Sequence, residues 1–579
     1  MISFDTDPEI AEQQMRAIIY YLTAFGYIDG DFDRSEKQYV REYVGKLVDH
    51  RAREALGADL DPHRELLTRI TAHFNEVLDE TDNAIQSLFT ESVAEGESTS
   101  QFVLAKIKLR CFELFKRFDE EGRFALLATL DELMYADGTV HPNEEAFRRE
   151  LYKLLRAPVE LDEVEMEMEM EMEMETVAAG SMIIGEAETL TAAQLDHPFF
   201  KGFEVQYAKD PATFALQAQG DMELIARVTD VLARQREAGK GRLAAAGDFA
   251  AIEAGARFLD GHVYVRKPDP SKRYELLVIG DLHGCYSCLK GALLQADFFR
   301  KVQAHHEDPE KHPEMNLVLL GDYIDRGRYS YNGVLRTVMQ LFVAVPDHVF
   351  VLRGNHEYYV EINGRVLAPV RPCEAMSEVA SVAPSGMFAT YMHLFEALPS
   401  TLVFDRTLFV HAGIPREDTI AERFKGIESL NDPEIRFQML WSDPSEVDAV
   451  PLSLQKANAR FPFGKKQLKS FLGKLGLRTL IRGHERVVEG FKTVYDDPEA
   501  TLISLFSAGG RTNDDLPFAS NYREVSPMAL TIRHEKGVSE LTPFLIDYAR
   551  YNDPELNAFF KDAITIPMGC GSSATGKWP

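Results

Sequence analysis

The side chains best able to do chemistry in this 579-residue chain sit in five short segments. They are Gly280-Asp281-Leu282-His283-Gly284, Gly321-Asp322-Tyr323-Ile324-Asp325-Arg326-Gly327, Arg353-Gly354-Asn355-His356-Glu357, His411-Ala412-Gly413 and Arg482-Gly483-His484-Glu485. Together they supply Asp, His and Asn, the oxygen and nitrogen donors that hard and borderline divalent cations prefer. They also supply arginines, whose planar forks suit phosphate oxygens. Asp281 and His283 are two residues apart, so in extended backbone they project to one side and can hold one ion together. Asp322 has two carboxylate oxygens and could bridge that ion to a second. Asn355 offers a neutral carbonyl oxygen, and His411 and His484 offer imidazole nitrogens. Two cations ~3.5–4 Å apart clamp the attacking and leaving oxygens of an in-line displacement, and such a cation lowers the pKa of a bound water to about 7. That chemistry is phosphoester hydrolysis without a protein nucleophile. A lone histidine among 16, or a lone Gly-Asp turn, carries no such message. The recurrence of glycine, ligand type and preceding apolar run does.

Those apolar runs indicate what positions the segments. Tyr274 to Ile279, Leu317 to Leu320 and Val349 to Leu352 read as buried strands, with Leu408 to Val410 and Leu477 to Ile481 as shorter or mixed ones. Short, β-branched-rich runs with glycine at the exit suit strands of a covered sheet better than helices. Each motif then lies at the carboxyl end of a strand, where open α/β sheets bind ligands. Glycine beside each ligand lets the backbone turn sharply and the ion approach closely.

In this order the segments resemble the signature of the phosphoprotein phosphatase (PPP) family of Ser/Thr phosphatases, a branch of the calcineurin-like metallophosphoesterases. The pattern GDxHG, GDxVDRG, GNHE, HAG and a late GH is matched with Ile324 in place of the valine, and Leu440 to Pro444 resembles the family's LWSDP stretch. The resemblance spans roughly residues 271–550. It implies an α/β calcineurin-like sandwich of two sheets with helices outside, and two divalent metal ions, for which Mn, Fe and Zn all suit the donors. It places the first metal on Asp281, His283 and Asp322, and the second on Asp322, Asn355, His411 and His484. It makes His356 the acid that protonates the leaving alkoxide, Asp325 its orienting carboxylate and Arg326 a phosphate ligand. The residue chemistry agrees, since an imidazole beside a carboxylate can act as a general acid near neutral pH. The family's second phosphate-gripping arginine precedes a Phe-x-Phe-Gly stretch, here Phe461 to Gly464. Arg460 is the nearest candidate, although the pattern places the arginine a few residues earlier. Phe506-Ser507-Ala508 is followed by Gly509-Gly510-Arg511, so the tyrosine that lines the site in eukaryotic members has no counterpart at that place.

Length and composition bound the rest. A chain of 579 residues implies several domains, since single cores rarely grow past ~250–300 residues. A net charge of −29 argues against non-specific nucleic-acid binding. Five unevenly placed cysteines give no disulfide framework, which suits a reducing compartment, and Cys285 and Cys288 read as ordinary thiols on a helix. With no basic-then-apolar leader and no long apolar span, a cytoplasmic protein that neither crosses nor binds a membrane is expected.

The front half reads differently. Residues 1–160 show helical spacing, as in Met15-Ile18-Ile19-Leu22 and Leu151-Leu154-Leu155, and contain a weak repeat. Tyr27-Ile28-Asp29-Gly30 leads to Glu36, and Tyr135-Ala136-Asp137-Gly138 leads to Glu144. The repeat resembles TerB-like helical domains; each Asp-Gly also reads as a plain helix-stop turn. Asp29, Asp31 and Asp33 mimic a calcium loop, but Arg34 and Val40 occupy its glycine and final glutamate places, which excludes an EF-hand. Residues 161–200 read as an acidic linker built on Glu-Met alternation, 201–270 as a helical prefix clearest at Met222 to Val228 and Phe249 to Phe258, 271–550 as the catalytic domain and 551–579 as a tail.

The expected function is hydrolysis of phosphoserine and phosphothreonine in a phosphoprotein substrate, with the N-terminal domain regulating the enzyme or docking a protein partner. Two alternatives stand beside it. One is hydrolysis of small phosphoesters or dinucleoside polyphosphates, against which His283 weighs because bacterial dinucleoside tetraphosphatases usually carry Gln there. The other is a catalytically silent scaffold of phosphatase fold.

Overall fold

Among the described residues, fifteen strands form where the sequence places short apolar runs between glycine and polar breaks. In chain order they are β1 (Met182–Ile184), β2 (Arg257–Asp260), β3 (Val263–Arg266), β4 (Arg273–Ile279), β5 (Glu314–Leu319), β6 (Val349–Val351), β7 (Val360–Ile362) and β8 (Arg365–Leu367). They continue as β9 (Thr401–Phe404), β10 (Thr407–Val410), β11 (Thr479–Arg482), β12 (Phe491–Tyr495), β13 (Thr501–Leu505), β14 (Met528–Glu535) and β15 (Val538–Leu545). This is a computed structural model; it describes residues 4–565 apart from 6, 29–31, 33, 58, 92, 95, 119–122, 125–126, 128–141 and 157–181. The Glu-Met run and both Asp-Gly turns of the N-terminal repeat lie outside the described residues.

The described chain forms two units. One comprises residues 1–169 with 416–418 and 442–468; the other comprises 170–415, 419–441 and 469–579.

The first unit is helical. Its helices Pro8–Gly26, Arg34–Leu56, Arg64–Leu88, Thr99–Lys116 and Pro142–Arg156 bury one apolar stripe each. Their starts carry the expected caps: the Asp7 carboxylate accepts from Glu9 N, and Ser98 with Gln101 closes a reciprocal capping box. Val450 and Leu454, from a segment that the sequence assigns to the catalytic domain, are buried in this helical core.

The second unit is a two-sheet α/β sandwich. One sheet has the order β1-β15-β14-β4-β5-β6 and the other β12-β13-β11-β10-β9-β3-β2, while β7 and β8 form a separate hairpin. A single apolar core runs through both sheets, from Leu276 and Val318 to Phe409 and Ile503. Strands β4, β5 and β6 run parallel, as do β10, β11 and β13, so the loops that leave β4, β5, β6, β10 and β11 carry the five motifs. The long helix Pro211–Gly239 starts at the Asp210 cap and buries Leu224, Ile225, Val228 and Leu232 in the same core. Asp221 on this helix takes a bidentate pair from Arg336, at 2.7 and 2.8 Å.

Three expectations change. Phe249 to Phe258 is not helical. The chain turns at Gly261-His262, directly after Asp260 and with the glycine at φ 60°, and β2 and β3 join the edge of the seven-stranded sheet. Phe258-Leu259 and Val263-Tyr264-Val265 are short runs rich in aromatic and β-branched residues that suit strands, and a hairpin signal outweighs weak helical spacing. Three residues within the stretch read as linker form a strand, since β1 pairs in parallel with β15. The stretch read as a tail is core through Phe560, with Tyr551 and Phe559 fully buried.

Candidate metal centre

The strand ends bring Asp281, His283, Asp322, Asn355, His411 and His484 into one buried cluster, none more than 9% exposed. The loops that carry them are tied together by backbone. Leu282 N and His283 N both donate to Asp322 O (3.0 and 2.8 Å), and His484 N donates to Asp281 Oδ1 (2.9 Å) and Oδ2 (3.1 Å). A Cβ at Gly354 would collide with Asp322 Oδ1 and one at Gly483 with Asp281 Oδ1, so these two glycines admit the carboxylates. His283, Asp322, Asp325, Arg326 and His484 all take left-handed backbone, with φ between 41° and 72°. Non-glycine residues rarely hold that conformation unless their surroundings enforce it, and such strain gathers at functional sites.

The imidazole tautomers decide what the cluster can bind. His283 Nδ1 donates to Ile324 O at 3.0 Å, which turns the Nε2 lone pair toward Asp322 Oδ2 (3.4 Å) and Asp281 Oδ2 (3.7 Å). His411 Nδ1 donates to Leu320 O at 3.0 Å, which turns its Nε2 lone pair toward Asp322 Oδ1 (3.4 Å) and Asn355 Oδ1 (2.9 Å). His484 Nδ1 lies 3.1 Å from the same amide oxygen. Acceptors therefore face acceptors on both sides of Asp322, an arrangement that a divalent cation on each side would reconcile. If the Asn355 amide turned over, its NH₂ would instead donate to Asp322, His411 and His484, so this residue can serve the cluster with or without an ion.

Charge tells the same story. Burial pushes the Asp281 carboxyl up to about 7. It pushes Asp322 well above the carboxylate range, with the Asp281 and Glu357 charges adding to the effect. Burial also holds His283 and His411 well below the ordinary histidine value, with His356 and Arg326 acting on the first and Arg482 on the second. Neutral imidazoles beside crowded carboxylates are the protonation states that bind cations.

The other expected residues divide. His356 Nδ1 is 2.6 Å from Asp325 Oδ2, and its backbone N donates to Asp322 Oδ1 at 3.0 Å. Asp325 is pushed up to about 7 by burial, opposed by the N–H of Ala375 (2.8 Å to Oδ1) and by the Arg326 charge. Arg326 is in the same loop, and its N donates to Glu374 Oε2 at 3.5 Å. Arg460 is 5% exposed. It belongs to the first unit, where Nη2 pairs with Glu91 Oε2 at 3.2 Å and Nη1 lies 3.8 Å from Asp443 Oδ2.

Three contributors escaped the sequence reading. Glu357, fully buried, accepts from the backbone N of Asp322 (2.7 Å), Tyr323 (2.9 Å) and Gly354 (3.0 Å), and so pins two ligand loops with one carboxylate. Its place directly after His356 was the available signal. Ala375 acts through a backbone N–H, which no side-chain pattern reveals. Tyr522 comes from a short 3₁₀ turn, and its ring lies 5.3 Å from that of His283 and 5.2 Å from that of Phe506. A tyrosine therefore does reach the site, 14 residues beyond Ala508.

Residues 274–487 match the calcineurin-like phosphoesterase family. This part of the chain is a calcineurin-like phosphoesterase domain. Among solved structures, the chain is similar to a protein serine/threonine phosphatase from Saccharomyces cerevisiae with similarity to human phosphatase PP5. That match has 16% identity and a TM-score of 0.35, over 57% of this chain and 90% of that one. It is also similar to the purple acid phosphatase PPD1 from seeds of yellow lupin (Lupinus luteus), at 10% identity and a TM-score of 0.21, over 50% of this chain and 57% of that one. Among the described residues, no helix is long and apolar enough to cross a membrane.

Proposed function

We propose that the phosphoesterase domain hydrolyses phosphoserine and phosphothreonine in proteins with the help of two divalent cations. The observation that carries the two-cation reading is Asp322, whose two oxygens each face the lone pair of a different imidazole while both imidazoles are locked by backbone carbonyls. Asp281, His283 and Asp322 would hold one cation, and Asp322, Asn355, His411 and His484 the other. When bound, the pair would supply an activated water and neutralise charge on the phosphoryl oxygens. Arg326 offers a planar fork to two of those oxygens. Asp325 fixes His356 through Nδ1, so Nε2 is the atom that delivers a proton to the leaving serine or threonine oxygen. The buried walls of the cluster keep bulk water from competing. The N-terminal helical unit regulates the enzyme or docks its phosphoprotein, and manganese suits the mixed nitrogen and oxygen donors.

The test is a turnover panel on purified, manganese-loaded protein. It would compare phosphoserine, phosphothreonine and phosphotyrosine peptides with dinucleoside polyphosphates at matched concentrations. Faster turnover of the first two supports the reading. Preference for dinucleoside polyphosphates would replace it with small-molecule hydrolysis, and no turnover of any ester by the metal-loaded protein would leave only a binding role.

A further inference from the structure

The phosphoesterase unit carries an open cavity of about 880 Å³ that the hydrolytic chemistry does not use. Its walls come from residues 206–209 with Phe214, from Arg328 to Asn332, and from the helix Glu374–Val379 with Ser381 and Val382, with Phe560 closing one side. Its volume lies within the ~300–1,000 Å³ typical of small-molecule sites.

Its lining has two chemical characters. Tyr207, Phe214, Tyr329 and Phe560 form aromatic walls, and Tyr329 packs edge-on against Phe560 at 5.9 Å. Against them stand two exposed cations, Arg328 and Lys209, neither of which makes an ion pair or a side-chain hydrogen bond among the described residues. Asn332 is only 7% exposed, yet its amide also makes no hydrogen bond among the described residues. Its amide is absent from the fully buried polar atoms that lack a partner, so the amide reaches the cavity, where water or a ligand can pair it. Asn332 sits in a π-helical turn, Ser330–Leu335, a wide geometry that recurs at functional sites. Glu378 is the cavity's carboxylate. Crowding around it, then the Glu374 and Asp325 charges, push it up to about 7, so its repulsion of an anion is only partial near neutrality.

Two lining residues also hold the acid-orienting carboxylate. Ser330 Oγ accepts from Asp325 N at 3.0 Å, and Ala375 N donates to Asp325 Oδ1 at 2.8 Å. A molecule pressing on either element therefore acts on Asp325 and through it on His356.

We propose that this cavity is an effector site for an anionic small molecule of mononucleotide size bearing an aromatic ring. Arg328 and Lys209 meet its charge, Asn332 hydrogen-bonds it, and Tyr207, Tyr329 and Phe560 flank its ring. Its occupation changes the rate of the acid-dependent step. The rate effect rests on the hydrolysis proposed above, whereas the binding does not, so the failure of each is read separately.

The probe is the non-hydrolysable phosphonate analogue of AMP, titrated calorimetrically into full-length, manganese-loaded protein, with adenosine and inorganic phosphate as single-feature controls. The analogue should bind more tightly than either control and resist displacement by saturating phosphate, which occupies the metal centre. Replacing Arg328→Ala and Lys209→Ala together should weaken it about 10–100-fold, the scale of lost charge-assisted hydrogen bonds, while leaving nitrophenyl phosphate turnover unchanged. Glu378→Gln should tighten it. The bound analogue should alter turnover of an alkyl phosphate more than that of nitrophenyl phosphate. The proposal is overturned if the analogue gives no binding heat at millimolar concentration, if phosphate displaces it, if the double variant binds it as the wild type does, or if bound analogue leaves alkyl phosphate turnover unchanged.

Discussion

Buried carboxylates keep different company in the helical unit and at the strand ends of the phosphoesterase unit. In the helical unit, Asp82 accepts from the Tyr27 hydroxyl (2.5 Å) and from Lys37 (2.6 Å), Asp443 pairs with Lys106 (2.8 Å), and Glu113 pairs with Arg110 (3.1 Å) and Ser445 (2.6 Å). At the strand ends of the phosphoesterase unit, Asp281, Asp322, Asp325 and Glu357 are at most 3% exposed and crowd one another. They accept mainly from backbone N–H groups and face imidazoles, with Arg482 and Arg326 offsetting part of their charge. An unpaired buried charge costs several kcal/mol even after relaxation, roughly what separates a folded from an unfolded domain. Where the chain supplies the counter-charge itself, the carboxylate is structural. Where it does not, the cluster is one that a metal ion could complete.

The comparison breaks most visibly at Asp322. Asp322→Asn should cost turnover on the order of 10³-fold, well beyond the ~10–100-fold typical of an outer-shell partner, and more than His411→Ala. Elemental analysis should show both metal sites depleted. Full turnover in metal-free wild type would show that the crowded carboxylates serve some other purpose.

His356→Ala comes next. Turnover of alkyl phosphates should fall by roughly 10²–10⁴-fold with the metal content intact, and nitrophenyl phosphate should suffer much less because its leaving group needs little protonation. Equal losses on both substrates would make His356 a binding or structural residue.

Glu357→Gln tests the positioning carboxylate. It keeps the size of the side chain but turns an amide NH₂ toward backbone donors, so metal affinity should fall about 10–100-fold with modest effect on folding. Unchanged affinity in a metal titration would mean that the ligand loops are held by their mutual backbone bonds alone.

Truncation sharpens the comparison from the other side. The sequence suggests that a protein starting near residue 195 would fold by itself. Such a protein would lack β1 and would leave Val450 and Leu454 without the helical core that buries them. We expect it to associate on size-exclusion chromatography and to lose stability. Fully active, monomeric truncated protein would show that residues 442–468 need no helical partner.

The smallest effect is expected at His262, a half-buried base that faces cations. Burial, then Arg436, lowers it to about 4, while Nδ1 hydrogen-bonds Leu398 O at 3.0 Å. Unfolded histidine titrates near 6.5, so the unfolded chain takes up the proton first. The stability contributed by neutral His262 is complete above about pH 6.5 and is lost as pH falls toward 4, at most about 3 kcal/mol. Urea denaturation at several pH values should show a flatter acid limb for His262→Gln. An identical limb would mean that another group carries it.

Much of the site is legible before folding because its ligands are local to strand exits. Asp281 and His283, Asp322, and Asn355 each follow an apolar run by two to four residues, and β4, β5 and β6 form where those runs lie. The β2–β3 hairpin was harder to see, since Phe249 to Phe258 offers helical spacing while the deciding signal is Gly261-His262 just beyond it. Tyr522 and Ala375 were invisible because their roles depend on where distant chain returns.

The sequence by itself determined the donor set, its order and the strands that carry it, since apolar periodicity and glycine exits are local properties. Only the tertiary structure decided which oxygen of Asp322 faces which imidazole, because that depends on the carbonyls of Leu320 and Ile324 locking two rings from different strands. It also decided that Arg460 pairs with Glu91 in the helical unit. An arginine fork is drawn to whichever carboxylate the fold brings within reach, and chain position alone does not say which one that is.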